Sequence, residues 1–420
     1  MKSAITSCKV EAKQLAWKTD RWLVSHFNYL NEVRALFQLP EKVEIHDVTL
    51  RDGEQQAGVV FRKDDKINIA CALGELGVHR IEAGMPAVST EDFDAVKTIA
   101  GLRLGSNIFS FCRARKEDVD LALKCDVSGV VIESPSSDIL IEKGFLWTRE
   151  QMADMAIDAL NYAKDHGLQV VFFPYDTTRA SWDFESQLMK RAVEEAHVDS
   201  LVVVDTFGNC LPQAFAYLVR KVKDLVKVPV EVHCHNDLGL ATANTLAGIS
   251  VGAEVAHTTL NGLGERCGNT PFAEVAICLL TLYGIDSGLR YGKIYKTSKL
   301  VAELSKSPVT PSKPVVGENC FAVESGIAAM FAKRLYDAGQ PVGALPYLPE
   351  LVGQSFKIIL GKKSGIHSID AKLSELKIPA TEQQKEQILA KVKELSLQKR
   401  SHITDKEFKD IVKNVVGAPS

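Results

Sequence analysis

The amino-acid sequence predicts an α/β protein: a (β/α)8 TIM barrel with an N-terminal helical extension and a mainly helical C-terminal region. Two observations predict the barrel. Eight short β-branched or apolar runs alternate with helical stretches between Val43 and Leu260, and eight is the number of parallel βα units that closes a barrel. The first run leads into Arg51-Asp52-Gly53-Glu54, not into the glycine-rich dinucleotide turn that a doubly wound open sheet usually carries there.

The elements follow in order. Residues 1–40 carry Trp17, Trp22, Leu23, Phe27, Leu30, Val33, Leu36 and Phe37 at roughly helical spacing, which predicts a helical layer ended by Pro40. Residues 41–285 hold the barrel, with strand-like runs at Val43–Val48, Val78–Ala83, Ser106–Phe111, Gly129–Ile132, Gln169–Phe173, Ser200–Val204, Val228–Val232 and Glu254–Leu260. Helical segments such as Asp64–Leu76, Arg149–Asp165 and Pro212–Leu225 lie between them. Residues 286–420 begin with a proline- and lysine-containing linker or lid, Ser305–Gly317. They continue into helices announced by two capping-box patterns, Thr381 to Gln384 and Thr404 to Glu407.

Composition narrows the function classes. Fifty basic residues against 53 acidic ones, with no basic block, offer nothing to nucleic acid or a membrane surface. No apolar stretch is long enough to span a bilayer, and the first residues lack the apolar core of a secretory signal. Nine cysteines without any CxxC pair fit reduced thiols in a cytoplasmic protein.

Barrel chemistry sits at the C-terminal ends of the strands. The end of the seventh run reads His233-Cys234-His235-Asn236-Asp237. Strand alternation points His233 and His235 to one side and Cys234 to the other. Such a pair suits metal ligation, and hydrogen-bonded core histidines are the plain alternative. Barrel closure puts strand eight between strands seven and one, so Asp52 and Asn269 converge on the same point and complete an N2O2 set for a divalent cation. Asp237 or Glu82 could stand in for one of these ligands. Arg51, beside Asp52, is placed to stabilise an alkoxide or enolate oxygen, or else forms a structural ion pair. Other polar strand ends are Glu82, Arg113, Asp176 with Arg179, and Asp205 with Thr206.

The segments Ile45–Gly58, Arg80–Ser89, His233–Asn244 and Thr259–Thr270 resemble the DRE-TIM metallolyase superfamily, which includes 2-isopropylmalate, homocitrate, citramalate and Re-type citrate synthases and is related to 3-hydroxy-3-methylglutaryl-CoA (HMG-CoA) lyase. Leu360–Leu373 is similar to the post-barrel segment of the synthases. The resemblance implies a divalent metal (Mn, Mg, Zn or Co) on Asp52, His233, His235 and Asn269. It implies Claisen-type condensation of acetyl-CoA, or another acyl-CoA, with a 2-oxo acid. It implies a keto oxygen stabilised by Arg51, substrate or water contacts from Glu82 and Thr206, further substrate contacts from Arg113 and Arg179, and a homodimer.

Four departures mark this chain. Both histidines of the family's post-barrel segment are replaced, by Val323 and Ala328, which leaves Glu324 or Glu318 as stand-in bases. Leu140 ends a segment where many synthases carry a histidine, and Tyr175 precedes Asp176 where glutamate is usual. Cys267 stands where the synthases carry a small residue, and its structural reading is preferred to a catalytic one. A carbon–carbon lyase on the same metal chemistry is the alternative activity, and a non-catalytic interaction barrel the third reading.

Overall fold

The computed structural model describes residues 17–417. Two compact units divide the chain: Ser25–Pro308 form the body of the first, and Lys18–Val24 join Val309 onward in the second.

The expected N-terminal helical layer is not what residues 17–40 form, and residues 1–16 lie outside the described residues. Helical structure here is limited to a 3-10 turn, His26–Tyr29, and one turn of α-helix, α1 (Asn31–Arg34). The reason is a division of labour along the segment. The Thr19 hydroxyl accepts the backbone N–H groups of Arg21 and Trp22, and the turn it makes lets Trp22 bridge to Tyr347 within the second unit. From Ser25 the chain serves the first unit instead: the Tyr29 hydroxyl donates to the Thr281 carbonyl and Arg34 donates to the Tyr283 carbonyl. One continuous helix cannot satisfy both.

The first unit is a closed, all-parallel barrel whose strands follow one another in chain order. They are β1 (Glu44–Asp47), β2 (Arg80–Glu82), β3 (Asn107–Arg113), β4 (Gly129–Pro135), β5 (Gln169–Tyr175), β6 (Ser200–Asp205), β7 (Val230–Cys234) and β8 (Val255–Thr258). Glu44 to Asp47 pair in register with Val255 to Thr258 and close the ring. The connecting helices are α2 (Lys63–Leu76), α3 (Thr90–Gly101), α4 (Lys116–Lys124), α5 (Arg149–Asp165), α6 (Trp182–Glu194), α7 (Pro212–Leu225), α8 (Ala241–Ser250) and α9 (Phe272–Cys278), with α10 (Ile294–Ser305) after them. The strands are almost wholly buried, because helices cover their outer faces and side chains fill the interior. The expected barrel end at 285 precedes α10, which packs on α2 and on the 3-10 turn after β8, so this unit continues to Pro308.

The second unit has a two-stranded parallel sheet, β9 (Ala322–Val323) with β10 (Lys357–Ile358), and helices α11 (Gly326–Asp337), α12 (Ile366–Glu375), α13 (Glu382–Lys399) and α14 (Asp405–Val416). Its core joins Leu360, Ile369, Leu373, Ile388, Val392 and Phe408. Both expected capping boxes form: Thr381 with Gln384 and Thr404 with Glu407. No described helix is long and apolar enough to cross a membrane.

Candidate active site

The interior of the barrel is divided by chemistry. Strands β3 to β6 fill one side with Phe109, Phe111, Val131, Val171, Phe173, Val202 and Val204. Strands β7, β8, β1 and β2 fill the other with buried polar groups: Glu231, His233, His257, His46, Arg80 and Glu82. A cavity of about 630 Å³ opens above this interior.

The polar side carries the candidate ligands. Asp52 Oδ2 lies 3.2 Å from His233 Nε2 and 3.8 Å from His235 Nε2, and the two imidazole nitrogens are 3.3 Å apart. Asn269 is brought alongside His235 because the loop after β8 is zipped onto the end of β7. Asn236 N–H donates to the Gly268 carbonyl, Thr270 N–H donates to the Cys234 carbonyl, and His235 bridges Asn269. Gly264 and Gly268 make that loop possible. Gly268 has φ +86°, and a Cβ there would lie 1.9 Å from the Gly262 carbonyl oxygen. A Cβ on Gly264 would lie 2.7 Å from Asn269 Oδ1.

These residues fit a cation. Asp52 Oδ1 and both polar side-chain atoms of Asn269 are buried without a hydrogen-bond partner among the described residues. The surroundings of His233 point the same way. Glu231 accepts from His257 Nε2 at 2.6 Å, and its carboxyl is held well below the usual range: burial pushes it up, but His257, Arg80 and His46 outweigh burial. His257 Nδ1 in turn lies 3.3 Å from His233 Nδ1, so a buried polar chain runs from Glu231 to His233. A metal-bound histidine commonly has such a partner on its other ring nitrogen. Burial also holds His233 down to about 3, so the imidazole is neutral as a ligand must be. Asp52 stays ionised: burial pushes its carboxyl up, but Arg51 and the two histidines bring it well below the usual range.

Arg51 is held from three sides. Its Nε donates to Glu82, its Nη1 lies 3.1 Å from Asp52 Oδ2, and its guanidinium stacks 3.9 Å above the Phe111 ring centre. Arg51 Nη2 is buried and has no hydrogen-bond partner among the described residues. Glu82 itself is fully buried and is not among the cavity-lining residues. Burial raises its carboxyl, yet Arg51 and His46 bring it down to about 2, so it orients Arg51 as a carboxylate.

The other expected residues divide. Thr206 lines the cavity and accepts the backbone N–H of Asp176. Arg113 and Arg179 do not line it, because each is drawn into an ion pair: Arg113 with Asp118 at 2.8 Å and Arg179 with Asp176 at 2.7 Å. Asp237, the alternative ligand, pairs with Arg266 at 2.8 Å. Glu324 lies in the second unit, where its carboxylate accepts the Lys363 N–H at 3.0 Å. Cys267 is exposed. Sequence reading passed over Glu133, which lines the cavity one residue beyond the expected fourth run. It also passed over His46, Glu231 and His257; for Glu231, its position two residues before His233 on β7 was the available signal.

Comparison with known proteins agrees with this architecture. The HMGL-like family model matches residues 42–301, more than half of the chain. The chain belongs to the HMGL-like family. A homocitrate synthase post-HMGL domain model matches residues 315–400. Homocitrate synthase AksA of Methanothermobacter thermautotrophicus is 39% identical over 397 residues, covering 94% of this chain and 99% of that protein. The 2-isopropylmalate synthase of Methanocaldococcus jannaschii is 42% identical over 386 residues, 90% of this chain and 73% of that one. Among solved structures, HMG-CoA lyase from Bacillus subtilis superposes with a TM-score of 0.59 at 20% identity, covering 64% of this chain and 96% of that one. That last likeness concerns the fold alone.

Proposed function

We propose that this protein is a metal-dependent synthase that joins the acetyl group of acetyl-CoA to the keto carbon of a 2-oxo acid and releases CoA. The observation that carries the reading is the approach of Asp52, His233 and His235 to one another, with Asn269 bridged to His235 along the backbone and Arg51 Nη2 buried without a hydrogen-bond partner among the described residues. Near-full-length likeness to homocitrate and 2-isopropylmalate synthases supports the choice of reaction. Asp52, His233, His235 and Asn269 would hold a divalent cation, which would supply Lewis acidity toward the substrate. The chain's own residues do the rest. Glu82 and the Phe111 ring hold Arg51 so that Nη2 donates to the oxygen that gains charge as the new carbon–carbon bond forms. Phe111, Phe173 and Met85 give the cavity an apolar wall that keeps water from the reacting carbon.

The test is thiol release by the purified protein with Mn²⁺, acetyl-CoA and, in turn, pyruvate, 2-oxoisovalerate and 2-oxoglutarate. We expect oxo-acid-dependent free CoA that EDTA abolishes. No release across the panel, with cleavage of a 3-hydroxyacyl-CoA instead, overturns the synthase reading in favour of the lyase.

A further inference from the structure

Six acidic residues line the cavity, and five are already engaged. Asp52 belongs to the candidate cation site. Glu54 and Asp92 pair with Lys66, Glu91 accepts the Lys63 N–H, and Glu265 pairs with Arg266. The sixth, Glu133, takes no hydrogen bond from any described residue.

Its position follows from the strand. Val131 packs in the apolar half of the barrel interior, so alternation turns Glu133, two residues on, to the same side at the cavity end of β4. In a ring of eight strands in chain order, β4 lies opposite β8. Glu133 therefore faces, across the cavity, the arc of β7, β8 and β1 that carries His235, Asn269 and Asp52. A 2-oxo acid held on that arc would present its keto carbon to the Glu133 side.

We propose that Glu133 is the general base that removes a proton from the methyl carbon of the acyl thioester, an assignment that rests on the synthase reading above. The carbon–hydrogen bond breaks, the proton goes to the Glu133 carboxylate, and the electron pair stays on carbon. That carbon attacks the keto carbon as the keto π bond opens toward its oxygen, which takes a proton from water, while Glu133 returns its own to solvent. Water then adds to the thioester carbonyl, the carbon–sulfur bond breaks, and CoA leaves as the thiol. Burial pushes the Glu133 carboxyl up to about 7, against Arg51 and Arg113 and with Asp52 and Glu82. A base with that affinity for protons is matched to work near neutral pH. Tyr175, the neighbour on β5, offers no competing base, because burial and Glu133 keep its phenol protonated.

The experiment compares wild type, Glu133→Gln and Glu133→Asp, each first checked for its circular-dichroism spectrum and Mn²⁺ stoichiometry. Thiol release is followed from pH 5.5 to 9 with the best oxo acid of the panel. We expect Glu133→Gln to lower kcat about 100-fold or more while the KM for the oxo acid stays within a few-fold. We expect the rise of the wild-type rate through pH 7 to be absent from its residual rate. Glu133→Asp, which keeps the carboxylate, should retain more activity than Glu133→Gln and should keep a pH-dependent limb. Wild-type turnover with a nearly unaffected Glu133→Gln, or with the same pH limb in it, overturns this assignment alone. Absence of wild-type turnover across the panel overturns the synthase reading beneath it.

Discussion

Replacing His257 with leucine removes the one group that links a candidate ligand to the buried carboxylate below it. His257 Nδ1 lies 3.3 Å from His233 Nδ1, and His257 Nε2 lies 2.6 Å from Glu231 Oε2. Glu231 is anchored in turn by Arg80 at 2.7 Å and by the Ser200 hydroxyl at 2.6 Å. Leucine fills comparable volume, so the loss is polar. His233 Nδ1 is left without its hydrogen-bond partner in a residue that is 1% exposed, and the hydrogen bond to the Glu231 carboxylate disappears. Losses of this kind cost about 1.5–3 kcal/mol of stability. An outer partner of a metal-bound histidine typically contributes about 10- to 100-fold in metal affinity, or about 1.4–2.7 kcal/mol. The assay is calorimetric titration of EDTA-stripped protein with Mn²⁺, beside urea unfolding of the stripped protein. We expect both a weaker Kd in that range and a lower unfolding midpoint. A lower midpoint with a Kd within about twofold of wild type would refute the reasoning. His233 would then be oriented by other contacts, such as the edge of the Phe173 ring at 5.0 Å.

Three further outcomes follow from the same geometry. His235→Ala should abolish Mn²⁺ retention after gel filtration, whereas Cys267→Ala, on an exposed side chain, should leave retention and turnover near wild type; the reverse order in metal analysis contradicts the ligand assignment. Gly129→Ala should lower stability by about 1–3 kcal/mol in thermal or urea unfolding, because the new Cβ falls 2.5 Å from the Phe109 ring and 2.6 Å from the Gln169 carbonyl oxygen, which is backbone and cannot yield. Burial pushes the Glu185 carboxyl from 4.5 up to about 8, with Asp176 pushing the same way. The native state keeps that proton after the unfolded state has lost it, so this contribution is full below pH 4.5 and fades as pH rises through 8. Glu185→Gln should flatten that decline between pH 5 and 8, and an unchanged slope in urea unfolding would count against it.

Much of the barrel was legible in the chain because its signals are local. A buried parallel strand reads as a short apolar run, and a capping box spans four residues, so Thr381 and Thr404 announced their helices. The N-terminal segment misled for the same reason. Helical spacing from Trp17 to Phe37 records apolar residues, not which unit buries each one, and here the segment is divided between two. Arg113 and Arg179 sit at strand ends as expected, yet neighbours only three to five residues away, Asp118 and Asp176, draw them into ion pairs.

By itself, then, the sequence determined the eight-fold alternation of strands and helices and the chemical types that could meet at the cavity end: the paired imidazoles of β7, the carboxylate after β1 and the amide after β8. Those depend on period and on strand order, which are written along the chain. Only the tertiary structure decided how the barrel interior divides into a polar and an apolar half. Arg80 meets Glu231 across 151 positions of sequence, and Arg51 meets Glu82 across 31. Ring closure also decided that Glu133, flush against the apolar half, is left as the cavity carboxylate that takes no hydrogen bond from any described residue. Burial and partnership, which set whether a carboxylate anchors an arginine, holds a cation or carries a proton, are properties of the closed ring and not of any stretch of chain.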